Sequence, residues 1–454
     1  MSTIQLELNA LGVAQVLVYL KAGVAKELAA SRSMAPAAEV TRHFKRNPTA
    51  RAAAIASAEG MTRSPQPYTV YPHLGIVLGT VDAESYRAVK RSEAVRAVTA
   101  VPEISLIRPT RSALSDPVAG PTWGIQRLRI PELWEAGLTG KDVVVGHLDT
   151  GIDGAHPVFE GAIRAFAEFD DLGRQVAGAE PTDSGTHGTH TAGTIAGRPN
   201  ARATVGVAPG ALLASAMVIE GGNVIARILG GMDWSIGQGA KILSMSLGLR
   251  GYREEFLTLM RTIRARGILP VIAVGNEGAG TSRSPGNYDL CLSVGASDSQ
   301  DEIPRFSSSQ RFDRDDDPLV PDLVAPGVEV SSAMPGGGYG VKDGSSMAAP
   351  HIAGLAALLW EASPSATVDQ IEAAILASCR RPATMSEARS NRGLPDAVVA
   401  RDTLTGAAIA AESPAIARVA RPATKRGATK RATTATKTAT KRGSRPKTRR
   451  HRSK

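Results

Sequence analysis

The stretch Val143-Val-Val-Gly-His-Leu-Asp149-Thr-Gly-Ile-Asp153 decides how this chain is read. An apolar strand, interrupted by His147 alone, delivers a carboxylate into a glycine turn. Apolar residues at consecutive positions, rather than alternate ones, mark a strand buried on both faces, and such strands belong to parallel sheets covered by helices. Similar short runs follow at Ala211–Ile219, Lys241–Ser246, Ile268–Val274 and Leu290–Val294, separated by helical patterns and Gly-rich loops. The expected fold class is therefore α/β with a mostly parallel central sheet. Its chemistry should collect at the carboxyl ends of the strands, where Asp149 stands.

Outward from this core the chain changes character. Residues 1–110 read as a small α+β unit. Candidate strands are Ala14–Leu20, Tyr68–Tyr71, Leu74–Val81 and a last extended segment within Val95–Ile107. Helical stretches run to about Glu59 and over Ala83–Glu93. The order β-α-β-β-α-β is the split, ferredoxin-like arrangement. Prolines and small polar residues make 111–122 a linker, 123–405 the α/β domain, and 406–454 a low-complexity tail.

Charge sharpens that last division. The 454 residues carry 53 Lys/Arg and 43 Asp/Glu, but residues 413–454 hold fifteen of the bases and none of the acids. The rest therefore carries 38 bases against 43 acids and is mildly acidic. Ala-Thr-Lys recurs at 423–425, 428–430, 435–437 and 439–441. A segment with so little apolar content cannot offset the entropy of ordering and reads as disordered. Its charge suits a nonspecific duplex or another polyanion through counterion release, with a solvated solubility tail as the other reading.

Two cysteines, Cys291 and Cys379, exclude a disulfide framework and a Cys-rich zinc module. No run reaches the roughly 18 consecutive apolar residues of a membrane span. The N-terminus lacks the basic start of a secretory signal. A soluble, cytoplasmic protein without a membrane partner is expected.

Two further stretches complement Asp149. One is Asp183-Ser-Gly-Thr-His187-Gly-Thr-His190-Thr-Ala-Gly193; the other is Asp343-Gly-Ser345-Ser346-Met-Ala-Ala-Pro350-His351-Ile-Ala-Gly354. Carboxylate, imidazole and hydroxyl are the parts of an acyl-transfer nucleophile. Serine needs a base, histidine takes its proton near neutral pH, and a buried carboxylate fixes the imidazole tautomer. Singly, each has a plainer reading: Asp149 as a helix-capping loop residue, His187 and His190 as metal ligands lacking the usual glutamate, and Ser345 or Ser346 as an N-cap.

Together, and in the order Asp…His…Ser, the three stretches resemble the subtilisin-like serine proteases, the subtilases. The resemblance runs from Trp123 to the region of Gly393-Leu-Pro-Asp396. It implies a three-layer subtilisin-like domain and serine endopeptidase activity. In that reading Asp149 orients, His187 is the base and Ser346 is the nucleophile. Asn276, in Ile268-Leu-Pro-Val-Ile-Ala-Val-Gly-Asn276-Glu-Gly278, is the oxyanion donor, an ordinary turn residue being its alternative. An extended peptide or protein substrate would lie between Ser246-Leu247-Gly248 and the Gly221-Gly222 turn. Gly275, Glu277 and the Ser284-Pro-Gly286 loop would border the first specificity pocket. The N-terminal unit is similar to the subtilase propeptide, an intramolecular inhibitor whose tail enters the groove, with processing within Pro109–Pro121. A separate interaction domain is the alternative.

No cofactor is required for this chemistry and no metal ligand set is assigned. Gly197–Thr204 holds the place of a family calcium loop, but Arg198 and Arg202 are unfavourable beside a divalent cation. Asp313, Asp315, Asp316 and Asp317 offer calcium-type oxygens or simply a solvated acidic loop. The competing functional class is a nucleic-acid or polyanion binder in which the protease domain is silent or tethered by the tail.

Overall fold

The computed structural model describes residues 2–31, 33–44, 68–101, 104–117, 119–219, 223–314 and 317–406. The basic tail, Gly221, Gly222, Asp315, Asp316 and the end of the first helical stretch lie outside the described residues.

Seven parallel strands make the central sheet. In spatial order they are Leu323–Pro326, Leu292–Ser297, Leu269–Ala273, Ile242–Met245, Val144–Asp149, Leu212–Met217 and Ile163–Glu168. The five inner strands coincide with the apolar runs. Both edge strands escaped that reading. Ile163-Arg-Ala-Phe-Ala-Glu is broken by Arg164 and ends on Glu168, and Leu323-Val-Ala-Pro ends on proline. Both are features an edge tolerates because one side has no ladder to satisfy.

Burial on two faces is visible residue by residue. Val271 and Ala273 pack into the core beneath the Ser345–Ala362 helix, whereas Ile272 between them joins the core under Val224–Gly237 and Leu257–Ala265. The Ser345–Ala362 helix is buried from Ser345 through Trp360, consistent with its run of alanines and leucines. This is the three-layer α/β arrangement.

The N-terminal residues form a four-stranded antiparallel sheet in the order Tyr68–Tyr71, Ile76–Asp82, Val13–Leu20, Val95–Ala100. An additional helix, Thr3–Leu11, precedes it. The sheet rests on the Val224–Gly237 helix through specific polar contacts. Leu74 N–H donates to Asp233 Oδ1 at 2.8 Å, and Tyr71 Oη donates to Ala226 O at 3.1 Å. Burial pushes the Asp233 carboxyl up to about 7, against the opposing effect of the Leu74 and His73 N–H groups.

Part of the expected linker is ordered. Arg111–Ser115 is a strand added to the edge of the Val330–Met334 and Gly338–Asp343 hairpin, in register from Arg111↔Asp343 to Ser115↔Tyr339. Main-chain pairing with an open edge prevails there over the turn-rich composition. Among the described residues, no helix is long and apolar enough to cross a membrane.

Candidate active site

Asp149 ends its strand one residue before a turn that only glycine can make. Gly151 has φ +113°, and a Cβ there would meet Thr182 O at 2.1 Å. Gly188, in the first turn of the His187–Ala196 helix, lies so close that a Cβ would stand 2.0 Å from Gly151 O. This close approach of two glycines brings the imidazole to the carboxylate. His187 Nδ1 lies 2.7 Å from Asp149 Oδ1 and 2.9 Å from Oδ2.

The carboxylate is 2% exposed yet fully solvated by the protein. Thr150 N–H donates to Oδ1 at 2.8 Å and Thr191 Oγ1 to Oδ2 at 3.1 Å. Burial alone would raise its pKa. The neighbouring His187, its hydrogen bond, His147 and the Thr150 amide outweigh that and hold the carboxyl at about 2. A permanent anion here accepts from Nδ1–H, which leaves Nε2 as the ring nitrogen available to a hydroxyl.

Ser346 enters the first turn of an 18-residue helix, with its main-chain N–H at the end where the macrodipole favours an anion. Asn276 follows the Leu269–Ala273 strand, and its amide orientation is fixed by what it accepts. Oδ1 takes the Ser345 N–H at 2.8 Å and lies 2.9 Å from Ser345 Oγ, so Nδ2 must face the groove. The Ser345 hydroxyl and main-chain N–H together hold this oxygen. Gly275, at φ +122°, provides the bend between strand and amide.

The groove is filled by the chain itself. Ser105–Leu106 pairs antiparallel with Leu247–Gly248, and Ile107 N–H donates to Ser246 O at 2.8 Å. Farther along, Thr110 N–H donates to Asp343 O at 2.8 Å before the Arg111–Ser115 strand begins. The two chemical groups meet different carbonyls of this strap. Ser346 Oγ donates to Ile107 O at 2.7 Å, while Asn276 Nδ2 donates to Arg108 O at 2.9 Å. Among the described residues, the buried His187 Nε2 has no hydrogen-bond partner. The serine proton therefore sits on the strap, and the expected His187–Ser346 hydrogen bond is not made in this state.

Of the residues expected to line the groove, Ser246, Leu247 and Gly248 lie against the strap. Glu277 is engaged by Arg283. Burial would raise the Glu277 pKa, but Arg283 and the Asn276 N–H bring it below its usual value. Arg283 itself was missed, because a lone arginine between serines carries no pattern. Lys342 was missed for the same reason. Its buried Nζ donates to Ser112 Oγ at 2.9 Å and to Thr186 Oγ1 at 2.8 Å, the latter directly before His187.

A second histidine lies behind the carboxylate. His147 Nδ1 is 3.0 Å from Ser215 Oγ, and its Nε2 is 2.9 Å from Thr191 Oγ1. With Asp149 nearby this imitates a nucleophile system, but Ser215 sits mid-strand at 0% exposure and His147 at 1%. No substrate carbonyl reaches it.

Among the described residues no group of three or more His, Cys, Asp or Glu could hold a metal ion. At Gly197–Thr204, Arg198 places its guanidinium where three carbonyls converge. It donates to Ala196 O at 3.1 Å, Ala211 O at 2.9 Å and Gly161 O at 2.9 Å. His190, the other candidate ligand, bonds Val330 O at 2.9 Å, and burial pushes its pKa down to about 3.

A family model described as the subtilase family, peptidase S8, matches residues 140–403. The chain belongs to the subtilase family. Among curated relatives of this subtilase, Subtilisin Savinase of Lederbergia lenta is 38% identical over 246 residues, covering 54% of this chain and 85% of that protein. M-protease of Shouchella clausii is also 38% identical over 246 residues, and the match spans 60% of its length. Subtilisin E of Bacillus subtilis is 35% identical over 256 residues, 55% of this chain and 63% of that protein.

Proposed function

We propose that this subtilase is a serine endopeptidase acting on extended protein or peptide substrates. The observation that carries the reading is the polarised Asp149–His187 pair beside a groove in which Ser346 Oγ already contacts a backbone carbonyl. Ser346 attacks the scissile carbonyl carbon as His187 Nε2 takes the hydroxyl proton. Asp149 holds the ring and stabilises the resulting imidazolium. Asn276 Nδ2 and the Ser346 N–H receive the oxyanion. His187 returns the proton to the leaving amine, and a water activated by the same nitrogen releases the acyl group.

Residues 1–110 act on this reading as an intramolecular inhibitor. The strap's occupancy of the groove and the unpartnered Nε2 support that role. The carbonyls at Ser346 and Asn276, those of Ile107 and Arg108, lie just before the expected processing segment Pro109–Pro121, so a cut there frees the groove once residues 1–110 dissociate. The segment 406–454 is proposed to hold polyanions nonspecifically on the strength of its fifteen bases. Deleting it should abolish salt-sensitive retention on duplex DNA, and unchanged retention refutes that role.

A fluorophosphonate probe tests the central claim. Processed wild type should take the label and Ser346→Ala should not. A processed wild type that stays unlabelled overturns the assignment.

A further inference from the structure

We propose that Arg283, with Arg250 at its rim, forms a cationic subsite that selects an acidic substrate side chain at the position occupied by Ser105. That position is two residues before the one whose carbonyl meets Ser346. The proposal deepens the serine-endopeptidase reading and rests on it.

The strap supplies the frame. In an extended strand, residues two apart face the same side, so the exposed Ser105 shares with the buried Ile107 the face that meets the Arg283 wall. That wall is lined by Gly248 and Gly275, and the Arg283 stem runs against both. A Cβ added at Gly248 would lie 3.1 Å from Arg283 Cβ, and one at Gly275 would lie 3.3 Å from its Cγ. The side chain is 7% exposed and leads its guanidinium to the strap. Nη1 donates to Gly248 O at 3.2 Å and to Ser105 Oγ at 3.1 Å.

Charge gives the subsite its sign. Taken alone, Glu277 at this wall would favour a basic substrate. Its carboxylate is already taken by Arg283, whose Nε donates at 2.9 Å and whose Nη2 makes a second contact to the same oxygen. Arg250, 78% exposed, approaches the same carboxylate at 3.8 Å. Among the described residues the ion pairs of both arginines run to Glu277 alone. Two guanidinium charges thus face one carboxylate. The Ser105 hydroxyl satisfies the Nη1 donor without neutralising the excess. A carboxylate in its place makes a charge-assisted bond, which is stronger than the neutral one.

The test varies the substrate, so it does not depend on a variant folding. A series of quenched peptides keeps Leu-Ile at the positions of Leu106 and Ile107 and places Asp, Glu, Ser, Ala or Lys at that of Ser105. The processed enzyme should turn over the acidic peptides about tenfold faster in kcat/KM than the Ala peptide, with Lys slowest. Raising the salt to about 1 M should compress the spread, since charge attraction is screened. Arg283→Met should remove the preference, and the exposed Arg250→Ala should reduce it severalfold. If Arg283 merely braced Glu277, its loss would slow every peptide alike. Equal rates across the series, or a preference for Lys, refutes the subsite while Ser346 labelling by the fluorophosphonate leaves the hydrolase reading intact. Absence of labelling refutes both.

Discussion

Two imidazole–hydroxyl systems flank Asp149, and they have opposite fates. His187 lies at the carboxyl edge of the sheet, its Nε2 without a partner among the described residues, and Ser346 meets a backbone carbonyl of the strap. His147 lies two residues back along the strand, with both ring nitrogens satisfied by Ser215 and Thr191. The residue types are nearly the same. What differs is that one system keeps an unsatisfied base beside an opening, whereas the other has its hydrogen bonds completed inside the core. Reactivity here is a property of incompleteness at an edge. Burial also lowers the His147 pKa, which suits a neutral, structural ring.

That contrast is breakable by mutation, and the largest effect belongs to the edge. Ser346→Ala should cut kcat by on the order of 10⁶-fold, leaving the residual acceleration supplied by the oxyanion donors. Its thermal midpoint should move little, because the lost hydroxyl only touches the strap. Asn276→Ala should come next, lowering kcat by about 10²–10³-fold with KM nearly unchanged, since its donor acts where charge develops. Steady-state kinetics on a quenched peptide measure both. Ser215→Ala should reverse the pattern. It should cost about 1–3 kcal/mol of stability by denaturant titration, because His147 Nδ1 loses its buried partner, while kcat/KM stays within roughly threefold of wild type. A Ser215 variant as inactive as the Ser346 one would erase the distinction between the two systems.

Much of this was legible along the chain. The five inner strands announced themselves because burial on both faces demands consecutive apolar residues, and Asp149 stood at the end of one of them. Ile163–Glu168 and Leu323–Pro326 did not, because an edge strand needs neither continuity nor a full set of amide donors. The segments of Asp149, His187, Asn276 and Ser346 were singled out through the family resemblance, and the fold brings Asp149 to His187 and Asn276 to the turn that holds Ser345 and Ser346. The roles of Arg283 and Arg198 were not legible. Arg198 stood out only as unfavourable beside a cation, and each works through a flexible side chain, to Glu277 and Ser105 in one case and to three carbonyls in the other. Nothing in a neighbouring residue encodes such a partner. The strap was anticipated as a tail in the groove, but not its split engagement, since a shift by one carbonyl leaves no trace in composition.

The strap ends as a strand on both sides, against Leu247–Gly248 and against Tyr339–Asp343. Excising it would strip two ribbons of amide and carbonyl groups of their hydrogen-bonded neighbour at once. Freshly liberated molecules would then be adhesive toward any unfolded polypeptide, each other included. Crowded preparations should consequently consume or clump themselves unless a competing extended chain is supplied.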